Sequence, residues 1–224
     1  MTHAAAWTEV PAVTVADDVP RRTSRGLGRI ADIGIALAAL FVLWPMMLVI
    51  ALALLPSGSV IFRHRRVGLN GKEFDCLKFR TMRLDARERL AELLNVNPEA
   101  RAEWAIFGKL RHDPRVTRLG RVLRAFSLDE LPQLLNVLRG DMVLVGPRPL
   151  TREELAEHYG DLAEVVLSVR PGVTGPWQVS GRSLTGYPRR VAMDADYARS
   201  RSFVGDIRLL LQTPLAVLGR RGAV

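Results

Sequence analysis

Three hydrophobic patterns divide this chain. From Ile33 to Leu55 an unbroken apolar run, IGIALAALFVLWPMMLVIALALL, contains no charged residue. In the middle of the chain, Leu131, Leu134, Leu135 and Leu138 recur at helical spacing and are followed by Gly140, a C-terminal cap. Near the end, Ile207, Leu210, Leu211, Leu215 and Leu218 predict an amphipathic helix that closes on Arg220 and Arg221, with a bend at Pro214. Between these lie shorter signals. Ser59–Phe62 reads as a short strand, Gly68–Gly71 as a turn, and the loose alternation of Phe74–Phe79 as a half-buried strand. Residues 84–107 are helical in pattern and charged, with an interruption at Asn97-Pro98. Val116–Ala125 predicts a short basic helix, and Val143–Val145 a short buried strand.

The apolar run is long enough to cross the roughly 30 Å hydrocarbon layer as a straight helix. Two features point instead to a re-entrant segment. Pro45 removes a backbone hydrogen bond near its middle and bends it. Basic residues flank both ends: Arg21, Arg22, Arg25 and Arg29 before it, Arg63, Arg65 and Arg66 after it. Such residues stay on the cytoplasmic side, so both flanks belong to one face. Spanning and re-entrant topologies both stay open at this level. Asp32 marks the mouth of the segment and is expected to pair with Arg29 or Arg25. Residues 1–22 lack the pattern of a signal peptide and read as a disordered tail, 23–56 as a re-entrant membrane helix hairpin, and 57–224 as a cytoplasmic catalytic domain. The fold class is therefore α-rich α+β, with short strands and amphipathic interfacial helices.

Charge changes the picture next. Thirty-two Lys and Arg against 23 Asp and Glu give +9, which suggests an anionic partner. Part of that charge is accounted for by anionic lipid beside the membrane segment. A nucleic-acid partner is not expected, because seven Phe, four Trp and three Tyr are too few to interleave a basic stripe and no recognised module appears. One cysteine, Cys76, excludes an internal disulfide. The four histidines and this cysteine have no zinc-type spacing. GxGxxG and GxxxxGK[ST] are both absent.

Candidate chemistry concentrates in Arg124–Gln133, RAFSLDELPQ. Ser127-x-x-Glu130 predicts a capping box, in which the two side chains satisfy each other's backbone amides. Asp129 and Glu130 are also adjacent carboxylates at a helix start, where the dipole favours anions. Gly146-Pro147-Arg148-Pro149 presents an arginine on backbone fixed by two prolines, suited to a phosphate or a carboxylate. Arg170–Arg182 is rich in Gly and Pro but carries Trp177, Gln178 and Arg182, and reads as a structured binding loop.

In this order, "LKFRTM" (77–82), "DPRVTRLGRVLRAFSLDELPQLLNVLRGDMVLVGPRPL" (113–150) and "RPGVTGPWQVSGRS" (170–183) resemble the bacterial sugar transferases, monotopic polyprenyl-phosphate hexose-1-phosphate transferases. "NPEARAEW" and the last segment resemble the exopolysaccharide-initiating branch. The resemblance implies transfer of galactose- or glucose-1-phosphate from a UDP-sugar to undecaprenyl phosphate at the bacterial inner membrane, with release of UMP. It implies Asp129 as the nucleophile of an aspartyl-phosphosugar intermediate, and Glu130, with Asp129, as ligand of Mg2+. Lys78, Arg80, Arg124 and Arg148 match basic positions around the site, Asp141 a secondary acidic one. Gln178 and Arg182 are assigned to nucleotide or sugar. Trp44 stands where much of the family has a serine before the membrane proline, so the bend rests on Pro45 alone. Membrane lipid is a further partner, and a homo-oligomer is left open. The alternative is a catalytically inactive anchor subunit of a polysaccharide assembly complex.

Overall fold

The computed structural model describes residues 26–107, 110, 112–180 and 186–219. The tail 1–22, Arg25, Arg182, Arg220 and Arg221 fall outside the described residues.

The apolar run forms one helix, α1 (Arg29–Leu54), followed by a 3-10 turn at Leu55–Ser57. It is a single helix rather than a hairpin. Pro45 lies within it on an exposed side and does not interrupt it. Its buried residues Asp32, Ala36, Ile50 and Leu54 recur at helical spacing. Ala39 and Leu40 pack against the central core, and Met46, Met47 and Ala51 against a second cluster. Thus α1 rests on the rest of the protein along its whole length. Its other side, including Ile30, Phe41, Val42 and Val49, is exposed and apolar.

The polar part begins with an antiparallel hairpin of β1 (Ile61–Val67) and β2 (Glu73–Phe79). The expected turn is present, with Asn70 and Gly71 both at positive φ. The first strand overlaps the expected Ser59–Phe62 only at Ile61 and Phe62 and runs on to Val67, paired with β2 along its length; Arg65 bonds Glu73 and Asp75, and Arg66 bonds Glu154. The charged region splits at Asn97-Pro98 into α2 (Ala86–Val96) and α3 (Pro98–Phe107), as the sequence predicts. The basic helix α4 (Arg118–Ala125) follows, capped by Thr117, whose hydroxyl accepts from the Gly120 amide. Gly120 is required here: a Cβ would lie 2.1 Å from the Thr81 carbonyl oxygen.

After a 3-10 turn at Leu128–Glu130 comes α5 (Gln133–Arg139), closed by Gly140 at φ 90°. Strand β3 (Val143–Val145) pairs in parallel with β4 (Gly172–Thr174), Val145 opposite Thr174. Between them lie α6 (Arg152–Glu154), which continues as a π-helical turn at Leu155–Tyr159, and α7 (Leu162–Leu167). The chain finishes with α8 (Pro176–Val179), α9 (Tyr187–Ser200) and α10 (Phe203–Leu218). The binding loop expected over 170–182 is therefore largely β4 and α8. In α10, Pro214 lies inside the helix, and Leu211, Leu215 and Leu218 face outward.

Buried polar groups fasten these pieces. Leu144 in β3 has one strand neighbour, so its amide needs another acceptor; Asp32 supplies it at 3.0 Å. Asp206 accepts from the Leu27 amide at 2.7 Å and from the Tyr197 hydroxyl at 2.7 Å. Two carboxylates thus tie the start of α1 to β3 and α10. Asp32 is buried, and of the two partners expected for it Arg29 donates instead to the carbonyls of Val137 and Leu138, while Arg25 lies outside the described residues.

Asn136 does the same between α5 and β2. Fully buried, it accepts from the Leu77 amide at 2.9 Å and donates to the Asp75 carbonyl at 2.8 Å. Replacing it by alanine strands both backbone groups, at about 1–3 kcal/mol each. Asn136→Ala is expected to lose roughly 2–4 kcal/mol in denaturant unfolding. A loss below about 0.5 kcal/mol would show that water takes its place without cost.

Candidate active site

The site lies where β2, the Leu128–Glu130 turn and the Pro147–Pro149 segment meet. Strand β2 brings Lys78. The helix α4 ends at Ala125, the chain reverses through Ser127 at φ 54°, and the next turn places Asp129 and Glu130 beside Lys78. Arg148 approaches from the far side on its proline-bracketed backbone.

The two carboxylates are treated differently. Glu130 Oε1 accepts from Lys78 Nζ at 2.6 Å and from Arg148 Nη1 at 3.2 Å. Burial pushes its carboxyl up, but the charges and hydrogen bonds of Lys78 and Arg148 outweigh this and hold it at about 2. Asp129 is 8% exposed, and its carboxylate makes no hydrogen bond or ion pair with any described residue. Burial, then the Glu130 charge, raise its pKa; Lys78, Arg124 and Arg148 oppose the rise. One acid is committed to cations, and its neighbour has no such partner among the described residues.

The expected capping box is absent. Ser127 is left-handed and makes no side-chain cap, and the Glu130 amide bonds to the Ser127 carbonyl. Charge-assisted bonds to Lys78 and Arg148 are roughly twice as strong as a bond to a neutral amide. The Glu130 carboxylate accordingly turns to the cations.

The basic residues divide. Lys78 and Arg148 bond Glu130. Arg124 donates to the Thr81 hydroxyl at 2.9 Å, and its charge acts on both acids. Arg80 turns away: it donates to the Ser59 carbonyl at 3.0 Å and lies over the Phe62 ring. Asp141 accepts from Asn136 and serves the α5 terminus. Gln178 is buried in α8 beside Gly175. Pro45 is in α1, apart from this chemistry. Arg182 is outside the described residues. A cavity of about 310 Å³ lined by Pro176, Met193, Tyr197 and Arg201 does not include the dyad; the candidate site is marked by the convergence of charges.

Behind Arg148 stands a network that sequence reasoning missed. Glu154 receives Arg66 at 2.6 Å and lies 3.5 Å from Arg190, which in turn approaches Asp194 at 3.8 Å. Tyr159 donates to Asp194 at 2.8 Å. Burial, chiefly, raises the Asp194 carboxyl to about 6. His64 accepts from Arg66 through Nδ1; burial and the surrounding cations lower it to about 4, so it is neutral at pH 7. The available signal was Thr151-x-x-Glu154, which is a complete capping box.

Among the described residues no group of three or more His, Cys, Asp or Glu is arranged around a metal position. The two adjacent carboxylates do fit a hard cation that takes its remaining ligands from phosphate and water. Glu130 Oε1 is engaged by cations, which leaves the Asp129 carboxylate and Glu130 Oε2 as the oxygens for it.

The chain matches the bacterial sugar transferase family over residues 23–220. It is 44% identical over 216 residues to the undecaprenyl-phosphate galactose phosphotransferase of Salmonella typhimurium, covering 96% of this chain and 45% of that protein. It is 44% identical over 218 residues to the exopolysaccharide production protein ExoY of Sinorhizobium fredii, covering 94% of this chain and 96% of that one. It is 39% identical over 199 residues to a UDP-glucose:undecaprenyl-phosphate glucose-1-phosphate transferase of Xanthomonas campestris, covering 84% and 38%. The chain spans less than half the length of the Haemophilus influenzae, Salmonella and Erwinia relatives.

Proposed function

This chain belongs to the bacterial sugar transferase family, and on that premise we propose that it transfers a hexose-1-phosphate from a UDP-sugar to undecaprenyl phosphate at the membrane. The observation that carries the reading is the division of the dyad: Glu130 is held by Lys78 and Arg148, while Asp129 is unengaged among the described residues. An Asp129 oxygen attacks the phosphorus that bears the sugar. The bond from that phosphorus to the UMP oxygen breaks, and UMP leaves with the electron pair. An oxygen of the lipid phosphate then attacks the same phosphorus, forms the lipid diphosphosugar and frees Asp129.

Lys78, Arg124 and Arg148 bring cations to the phosphorus, where charge accumulates during transfer. Glu130 orients two of them. The Asp129 and Glu130 oxygens named above would hold Mg2+, which would supply positive charge to screen the diphosphate. The relatives' names support galactose or glucose as the sugar. The test is UMP release by purified protein with undecaprenyl phosphate, across a panel of UDP-sugars. Release from one sugar, dependent on the lipid, is expected. No release from any sugar by folded protein would favour the anchor-subunit alternative.

The topology belongs to the same proposal: both ends of α1 stay at the cytoplasmic face of the bilayer. A 26-residue helix is about 39 Å long, enough to span. Yet both its ends, and its middle, pack on the same polar body. A spanning helix would have to part from that body. Cysteines placed at Ser24 and Ser57 are expected to react with an impermeant maleimide in inside-out vesicles only; Cys76 is buried and silent. Labelling of the Ser24 site from the opposite face would contradict this topology.

A further inference from the structure

Arg148 has a long side chain, and fixing its backbone between two prolines does not fix its guanidinium. Trp177 lies where it can. The parallel pairing of Val145 with Thr174 places two segments in step, so that Arg148 and Trp177 each follow the pair by three residues at the same end of the sheet. The start of α8 is pressed onto this segment: a Cβ at Gly175 would lie 2.1 Å from the Gly146 carbonyl oxygen. The Arg148 guanidinium carbon is 5.4 Å from the Trp177 ring centroid, and that of Arg190 is 4.5 Å from the same centroid. Both are within the range of a cation–π attraction. Arg190, almost fully buried, is anchored in turn by Glu154 and Asp194.

From this we propose that Trp177 is the positioning residue for Arg148, an inference that rests on the sugar-phosphate transfer reading. The reason for an aromatic ring is chemical. A carboxylate in its place would accept from Arg148 and occupy the N–H donors that a phosphate oxygen needs. The ring attracts the guanidinium through its face and occupies none of them. The Trp177 indole N–H is buried and makes no hydrogen bond among the described residues, so the ring contributes its face rather than its polar edge. Glu130 holds Arg148 at one side, through a bond of 3.2 Å, and Trp177 steadies it at the other. Arg190 is the fixed post that keeps the ring in place.

A double-mutant cycle separates positioning from mere packing. Trp177→Leu is expected to lower kcat/KM about tenfold with Arg148 present, and less than twofold in an Arg148→Lys background, where the planar fork is gone. Trp177→Phe, which keeps a ring, should lose about threefold with Arg148 and nothing measurable with Lys. It decides the question if the leucine variant does not fold. The cycle is read both in UMP release and in UDP affinity by calorimetry, so an inactive Arg148→Lys still yields a coupling. Equal losses in both backgrounds, or a leucine variant as active as wild type, would overturn the positioning role alone. Absence of turnover by the wild type with every UDP-sugar would overturn the functional reading, and this role with it.

Discussion

Asp129→Asn is expected to abolish sugar-phosphate transfer while leaving the fold in place. The amide has the shape of the carboxylate but is not a nucleophile. Because the Asp129 carboxylate makes no hydrogen bond or ion pair with a described residue, its replacement breaks none of these. Removing its buried charge also removes the repulsion from Glu130 that helps raise its pKa. The variant should therefore unfold at the same or a higher temperature than wild type. Loss of a covalent nucleophile typically costs three orders of magnitude or more, so turnover below about 10⁻³ of wild type is predicted. A soluble, folded variant with more than about a tenth of wild-type turnover would remove Asp129 from the mechanism.

Glu130→Gln should act in two ways. It leaves Lys78 and Arg148 without their counter-charge in a mostly buried position; breaking such a pair costs about 3–5 kcal/mol when fully buried, and less here because Arg148 is a quarter exposed. It also frees both cations to move, so transfer should fall by roughly 10²-fold, the scale of losing one preorganised electrostatic group. The pH profile gives the more specific signature. Burial and then the Glu130 charge raise the Asp129 pKa, so wild-type activity is lost on acidification at a pH above the ordinary aspartate range. In Glu130→Gln the repulsion is gone and Lys78 and Arg148 are no longer neutralised. Both changes favour ionised Asp129, and the acid limb of the residual activity should move to lower pH. Stability moves in the opposite sense: Glu130, held at about 2, stabilises wild type above the ordinary glutamate range. That contribution is lost as pH falls from about 4.5 towards 2, and the variant lacks the loss. An acid limb that stays in place or moves up would show that Asp129 does not set it.

The sequence made the dyad visible and misread what surrounds it. Two stretches carry the same S/T-x-x-E pattern, Ser127–Glu130 and Thr151–Glu154. Only the second forms a capping box. The pattern is local, and the competitor is not: Lys78 lies 52 positions from Glu130 and reaches it only through the β1–β2 hairpin. Arg80 illustrates the same limit. Lys78 and Arg80 share a motif, but β2 ends at Phe79, and beyond it the chain turns Arg80 toward Ser59 and Phe62. Elements written in periodicity were legible, including the split at Asn97-Pro98, the Gly140 cap and β3. Elements fastened by isolated buried polar residues were not. Asp32, Asn136 and Asp206 look like ordinary surface residues in the sequence, and only their backbone partners reveal why they are buried. The long apolar helix was legible in composition, but its one-sided packing was not, because apart from Asp32 its buried residues are as apolar as its exposed ones.

The central claim is a covalent intermediate on Asp129, and the direct measurement is to trap it. The purified protein is mixed with Mg2+ and the UDP-sugar identified by UMP release, without lipid acceptor, then quenched in acid and analysed by mass spectrometry. A hexose-phosphate adduct on the peptide carrying Asp129 is predicted, formed together with a burst of UMP no larger than one per protein and discharged by undecaprenyl phosphate. Lipid-dependent turnover with no adduct and no burst would contradict it, and would mean that the lipid phosphate attacks the UDP-sugar directly.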